Sequence, residues 1–142
     1  MATLSPNPPG GLGILESCLY VDDLARARTF YEGILGLFLV SEVAGRHLFF
    51  RLGEGMLLLF RPESSLQAGE LPPHGAQGPG HLCFKVEEAA YEGWKAYLQA
   101  RSVAITAEQR WPSGAKSLYF HDPAGNVLEL APTRIWPSLW PT

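Results

Sequence analysis

Two stretches of this chain occur twice, and any fold it adopts has to accommodate both copies. Glu16-Ser-Cys-Leu-Tyr-Val21 aligns without gaps on His81-Leu-Cys-Phe-Lys-Val86, an offset of 65 residues. His47-Leu-Phe-Phe-Arg-Leu-Gly-Glu-Gly-Met-Leu-Leu-Leu-Phe60 aligns on Ser117 to Leu130 at an offset of 70. Self-similarity at so long a period marks a repeated supersecondary unit whose copies bury their apolar faces together. The second copy carries five more residues between its first and last strands, and otherwise keeps the plan. The alignment makes Glu16 equivalent to His81, Cys18 to Cys83, and Leu59 to Glu129.

Each copy reads as β-α-β-β-β. Residues 1–13 are rich in Pro and Gly and form a loose lead-in. The first module, 14–62, opens with a strand from Ile14 to Val21. Asp22 or Asp23 then caps a helix with Leu24, Ala27, Phe30, Tyr31, Ile34 and Leu35 at helical spacing, which Gly36 stops. Strands follow over Leu37–Val43, Arg46–Leu52 and Met56–Phe60. Residues 63–80 have no period and serve as a linker in which His74 is solvated. The second module, 81–134, repeats the order. It has a strand at His81–Val86, a helix carrying Ala90, Trp94, Tyr97 and Leu98, and a strand at Val103–Thr106. It closes on a hairpin whose turn is Asp122-Pro123-Ala124-Gly125-Asn126. A tail, 135–142, holds Trp136 and Trp140, which are expected to pack down. The fold class is therefore α+β, one domain of two paired modules with curved mixed sheets forming a cup.

Composition narrows the function classes. With 142 residues, 46% of them hydrophobic and 18% charged, the chain is long and apolar enough for a real core. A formal charge of -3 leaves no basic footprint for nucleic acid. No apolar run approaches the roughly 20 residues that span a bilayer, and no signal peptide is legible, so no membrane partner is expected. Two cysteines without tight spacing point to a reducing cytoplasm rather than a disulfide scaffold.

Strand parity sorts the side chains. One face of each half carries Leu19, Val21, Leu48, Phe50, Leu58 and Phe60, or Leu82, Phe84, Val86, Leu118, Phe120, Leu128 and Leu130, and is expected to cover the helix. The other face carries Glu16, Cys18, Tyr20, His47, Phe49, Arg51, Leu57 and Leu59, with His81, Cys83, Lys85, Ser117, Tyr119, His121, Val127 and Glu129 in the second half. Carboxylates, imidazoles and rings together make a binding surface, not a core. Glu129 stands out, because a charge within an apolar strand is costly unless it is paired or bound to a metal.

The paired modules, the stretch ESCLYVDDLARARTFYEGILGL, the strand start GHLCFKV and the ending FHDPAGNVLEL resemble the vicinal oxygen chelate superfamily. That group includes glyoxalase I, extradiol dioxygenases, fosfomycin-resistance thiol transferases and bleomycin-resistance proteins. The resemblance covers roughly residues 12–134 and implies metal ligands on the first and last strands of each module. Those positions hold Glu16, Leu59, His81 and Glu129 here. Leu59 cannot ligate, and Glu16 stands where the family most often has His. Both the four-ligand glyoxalase set and the two-His, one-carboxylate triad are therefore incomplete.

Two readings follow. In the first, Glu16, His81 and Glu129 form an open site for a divalent metal (Zn, Mn, Ni or Fe(II)), and Glu129 or Glu16 acts as catalytic base in a lyase, isomerase or oxygenase. In the second there is no metal. The carboxylates then hydrogen-bond His81 or arginine in a polar pocket that sequesters a small aromatic or cationic compound. Arg51 and His121, equivalent across the repeat, are positioned to grip an anionic substrate. His121 serves equally to order its turn. His47, Phe49, Ser117 and Tyr119 are further substrate contacts, and Cys18 and Cys83 are expected to be packed. Relatives often build each cup from modules of two chains, so a homodimer is expected, with Glu16 facing His81 and Glu129 of a partner.

Overall fold

The computed structural model describes residues 7–136. Strands β1 (Glu16–Tyr20), β2 (Phe38–Val43), β3 (His47–Leu52) and β4 (Gly55–Phe60) form one mixed sheet in the order β1-β4-β3-β2. Strands β5 (His81–Lys85), β6 (Ala107–Arg110), β7 (Lys116–His121) and β8 (Val127–Ala131) form the other in the order β5-β8-β7-β6. In each half the first strand lies parallel to the last, which needs a helical crossover, and hairpins supply the antiparallel pairs.

The first crossover begins at Asp23, whose carboxylate accepts the Arg26 amide at 3.0 Å. Helix α1 (Leu24–Arg28) runs on as a π-helical segment, Thr29–Ile34, and ends at Gly36 in the left-handed region (φ 73°). This segment buries Phe30 and Tyr31 side by side. The Tyr31 ring lies 6.0 Å from Phe50 of the first sheet and the Phe30 ring 6.2 Å from Phe120 of the second. The second crossover helix, α3 (Tyr91–Ala100), buries Tyr91 and Leu98, and the Tyr97 hydroxyl donates to the Ile34 carbonyl at 2.7 Å. Both sheets and both helices thus close on one core.

The two hairpins differ by one residue, and this shifts the repeat. Arg51 pairs with Met56 across four intervening residues, whereas His121 pairs with Val127 across five. Cys18 lies beside Leu58, and Cys83 lies beside Glu129. The first-half counterpart of Glu129 is therefore Leu58, not Leu59. Leu57 and Leu59 join the core with Leu48 and Phe50, while Leu58 and Phe60 take the cup face. The expected faces of β4 are inverted. Parity survives within a strand and is lost across a turn of misjudged length.

Three further expectations change. The strand placed at Val103–Thr106 forms later, as β6, because Val103 and Ile105 are spent as core anchors. The linker starts with a helical turn, α2 (Pro62–Ser65), and closes on itself through the His74 amide and the Ser65 carbonyl at 3.0 Å. His74 is exposed yet engaged: the Tyr20 hydroxyl lies 2.7 Å from its Nδ1, and its ring meets the Phe60 ring edge-on at 4.7 Å. Trp136 stacks on Trp111 but keeps 52% of its surface open, and Trp140 lies outside the described residues.

Candidate functional site

Glu129 sits mid-sheet on β8, between Cys83 of β5 and Tyr119 of β7, and is 5% exposed. His81 opens β5 two residues before Cys83. Its Nδ1 is 2.9 Å from the Val127 carbonyl, which can only accept, so Nδ1 carries a proton. Nε2 faces Glu129 Oε1, 3.2 Å away: the two form an ion pair when the ring carries both protons, and meet lone pair to lone pair when it carries only the one on Nδ1. Two lone pairs at that distance require a proton or a cation between or beside them. The other carboxylate oxygen, Oε2, is buried without a well-aligned hydrogen-bond partner, although the Cys83 thiol and the Tyr119 phenol stand near enough to donate to this carboxylate. An imidazole nitrogen pinned by its opposite nitrogen, beside an incompletely satisfied carboxylate, is a donor set that fits a divalent metal.

The neighbours tune this spot. Although the Cys83 residue as a whole is exposed, its thiol is partly desolvated, and this, followed by the Glu129 charge, pushes it up to about 12, so it stays protonated beside the carboxylate. Tyr119 is half-buried, its ring lies 6.2 Å from that of His81, and burial raises its phenol. Both cysteines are exposed and free, which overturns the packed role expected for Cys18 and Cys83.

Glu16 does not join them within the chain. Among the described residues no group of three His, Cys, Asp or Glu side chains is gathered closely enough to hold a metal. Glu16 lines a separate cavity of about 960 Å³ on the first sheet, with Cys18, Arg46, Phe49, Leu58, Phe60 and the loop up to His74. A second hollow of about 670 Å³ runs between the halves, past Leu15, Ser17, Met56, Leu82 and Cys83. The set Glu16, His81 and Glu129 is thus split, because β1 and β5 begin different sheets.

The other candidates divide. Phe49 lines the first cavity and stacks on His47, ring centroids 3.7 Å apart. His47 is buried with both nitrogens engaged: Nδ1 accepts from Arg46, and Nε2 lies 3.1 Å from the Ser41 hydroxyl. Burial and Arg46 hold its pKa below the ordinary histidine value. Ser117 has no open surface, and its hydroxyl accepts from Trp111 Nε1 at 3.0 Å. These positions give His47 and Ser117 framework contacts in place of the expected substrate contacts. Arg51 lays its guanidinium over the exposed Phe38 ring, 5.2 Å from the centroid. His121 ends β7 in a hollow with Arg26, Arg101 and Pro123, away from Glu129. Arg46 and His74, which do border the first cavity, are passed over by the sequence: parity sets Arg46 on the face opposite His47 in its expected strand, and His74 stands in the linker.

Comparison with known proteins places the fold. The model of the glyoxalase/bleomycin resistance protein/dioxygenase superfamily matches residues 13–130. The chain is 40% identical to a crystal structure of lactoylglutathione lyase from Agrobacterium tumefaciens (TM-score 0.86, covering 92% of this chain and 98% of that one). It is 30% identical to metallothiol transferase FosB of Staphylococcus saprophyticus over 111 residues, 78% of this chain and 70% of the relative. FosB of Staphylococcus epidermidis is likewise 30% identical over 115 residues, 80% and 76%. With two four-stranded β-α-β-β-β sheets on one core, this chain belongs to the glyoxalase/bleomycin resistance protein/dioxygenase superfamily.

Proposed function

We propose that the chain is a metal-dependent enzyme, a lyase or isomerase acting on a small oxygen-bearing substrate, built on His81 and Glu129. The observation that carries this is the buried Glu129 carboxylate, with one oxygen lacking a well-aligned partner and the other facing His81 Nε2. His81 Nε2 and Glu129 would hold a divalent cation, Zn, Mn, Ni or Fe(II), and such a cation polarises substrate oxygens when bound. Glu129 is the proton acceptor in this reading, because it is the carboxylate that lies on the cup face beside His81 and Tyr119. The Tyr119 ring walls the substrate on the β7 side, and the neutral Cys83 thiol does not compete as a base. Free Cys18 and Cys83 accord with a cytoplasmic setting.

The missing ligand comes from a second copy in this reading. Leu12, Ile14 and Leu15 precede β1 and Phe38, Val40 and Val43 line the β2 edge, all exposed large apolar side chains. A homodimer that covers them brings Glu16 and Phe49 of one copy over His81 and Glu129 of the other, with Glu16 as third ligand or alternative base.

Metal analysis of protein purified without chelator tests the reading, alongside His81→Ala and Glu129→Ala. The expected result is about one divalent ion per chain, lost in both variants. Wild-type protein that stays metal-free after supplementation refutes it and leaves metal-free sequestration of a small molecule.

A further inference from the structure

The turn before Glu129 does more than reverse the chain. Asp122 and Asn126 are buried at its two ends, and the Asp122 carboxylate accepts from the amides of Ala124 and Asn126, both at 2.9 Å. It also accepts from the Tyr31 hydroxyl at 2.7 Å and from Asn126 Nδ2 at 2.9 Å. That accounts for the turn itself. It leaves the rest of the Asn126 carboxamide, which points away from the turn. Its Oδ1 accepts the Gly80 amide at 2.8 Å, and its Nδ2 also donates to the Tyr20 carbonyl at 3.0 Å.

Gly80 is the residue before His81, and the contacts close a ring. Asn126 Oδ1 holds the Gly80 amide, and the Gly80 carbonyl accepts from the Val127 amide at 2.9 Å. The Val127 carbonyl then accepts from His81 Nδ1 at 2.9 Å. The ring contains no free link: the backbone on both sides of the imidazole is held, and the tautomer is fixed by the last bond. A Cβ at Gly80 would sit 3.0 Å from Leu19 Cδ2 and 3.3 Å from Asn126 Oδ1, so a side chain there has to displace the leucine or the carboxamide by a few tenths of an ångström.

We propose that Asn126 is a positioning residue for the site: through Gly80 and Val127 it fixes His81 with Nε2 turned to Glu129, and through Tyr20 it ties this setting to the first half of the chain. Asn126 touches no reacting atom. Its donor and acceptor are both required, the acceptor for Gly80 and the donor for Tyr20, which is why an amide rather than a carboxylate stands here. The inference rests on the function proposed above only in taking His81 as a ligand; the geometry it explains exists without metal.

The test separates those two layers. In metal-free protein labelled with ¹⁵N-histidine, above the ordinary histidine pKa range, His81 of the wild type should appear as one tautomer, protonated at Nδ1. Asn126→Ala and Gly80→Ala attack the ring from opposite sides, and each should mix the two tautomers. Each should also weaken zinc binding by roughly tenfold or more, the usual cost of losing an outer partner of a ligand. Tyr31→Phe removes a partner of Asp122 but no member of the ring. It should lower the melting temperature and leave the His81 signals in place. If Asn126→Ala does not fold, Gly80→Ala decides alone. A single unchanged Nδ1–H tautomer in a folded Gly80→Ala variant overturns the proposal, and so does an equal shift in Tyr31→Phe. Wild-type protein that binds no zinc, with mixed tautomers in the two variants, refutes the metal function and keeps the positioning role.

Discussion

Replacing Glu129 by Leu copies into the second half what Leu58 already is in the first, and the outcome separates a functional carboxylate from a structural one. Glu129 Oε2 is buried without a well-aligned partner, which costs about 1–3 kcal/mol for the lost hydration. Against this stands the His81 contact at 3.2 Å, whose imidazole side is 51% exposed, so the pair contributes only about 0–1 kcal/mol. Leu is close in length, fills the same space and needs no partner. Without metal the variant should gain about 1–2 kcal/mol. At roughly 4 °C per kcal/mol for a chain of this size, the melting temperature should rise by about 4–8 °C. Metal reverses the order. At a concentration 100 times its Kd, a ligand of the native state adds about 2.7 kcal/mol, or roughly 10 °C, to wild type and nothing to Glu129→Leu. Thermal melts of both proteins, with chelator and with each candidate ion, read all four values. A variant that melts lower than wild type in chelator refutes the reasoning, because Glu129 would then be holding the fold.

Two other outcomes follow from the same structure. The Cys83 thiol, pushed up to about 12, should react slowly with maleimide at neutral pH and accelerate as pH climbs toward that value; a rate already maximal near pH 9 contradicts the placement beside Glu129. The sign for stability runs the same way: with the folded pKa raised above the ordinary thiol value, Cys83 favours the fold below that value and loses this contribution as pH rises through about 12. His74→Ala removes the Tyr20 hydrogen bond and the edge contact on Phe60, both at an exposed position, so global stability should drop by no more than about 1 kcal/mol. Amide exchange in residues 66–73 should nonetheless accelerate clearly, and unchanged exchange would mean that the loop is held elsewhere.

Much of the architecture was legible because local and repeated patterns agree. Asp23 caps the first helix, Gly36 ends it, and the strand alternations of β3, β7 and β8 fall as the apolar spacing requires. What failed was whatever depended on counting through a turn. Both reversals read as turns, but residues 52–55 between Arg51 and Met56 number four and residues 122–126 between His121 and Val127 number five, and an ungapped alignment has no way to register that. Burial by distant segments was equally illegible. Leu58 and Phe60 face the cup yet are buried with the loop ending at His74 among their neighbours. Glu129 drew notice as a charge out of place, and the structure sets His81 beside it; that Glu16 lies in another cavity depends on how the sheets are set, which no spacing in the chain encodes.

The turn that misled the alignment is also where the halves diverge in chemistry. Leu15 and Met56 make the same backbone rung in the first half, amide to carbonyl at 2.8 Å, that Gly80 and Val127 make in the second at 2.9 Å. The residue before Met56 is Gly55, where a Cβ would sit 2.9 Å from the Leu15 carbonyl oxygen. The residue before Val127 is Asn126, facing a glycine. The small residue has changed sides across the rung. In the first half Gly55 leaves room for backbone alone, and Glu16 begins its strand exposed. In the second half the glycine is on β5, a carboxamide can reach it, and the imidazole that follows is held at its Nδ1. One inserted residue therefore does two things at once. It brings a carboxylate into the register position where the first half has leucine, and it supplies the group that orients the histidine opposite. A first half given Glu at position 58 alone would have the charge without the orientation, and so would not be a second copy of this site.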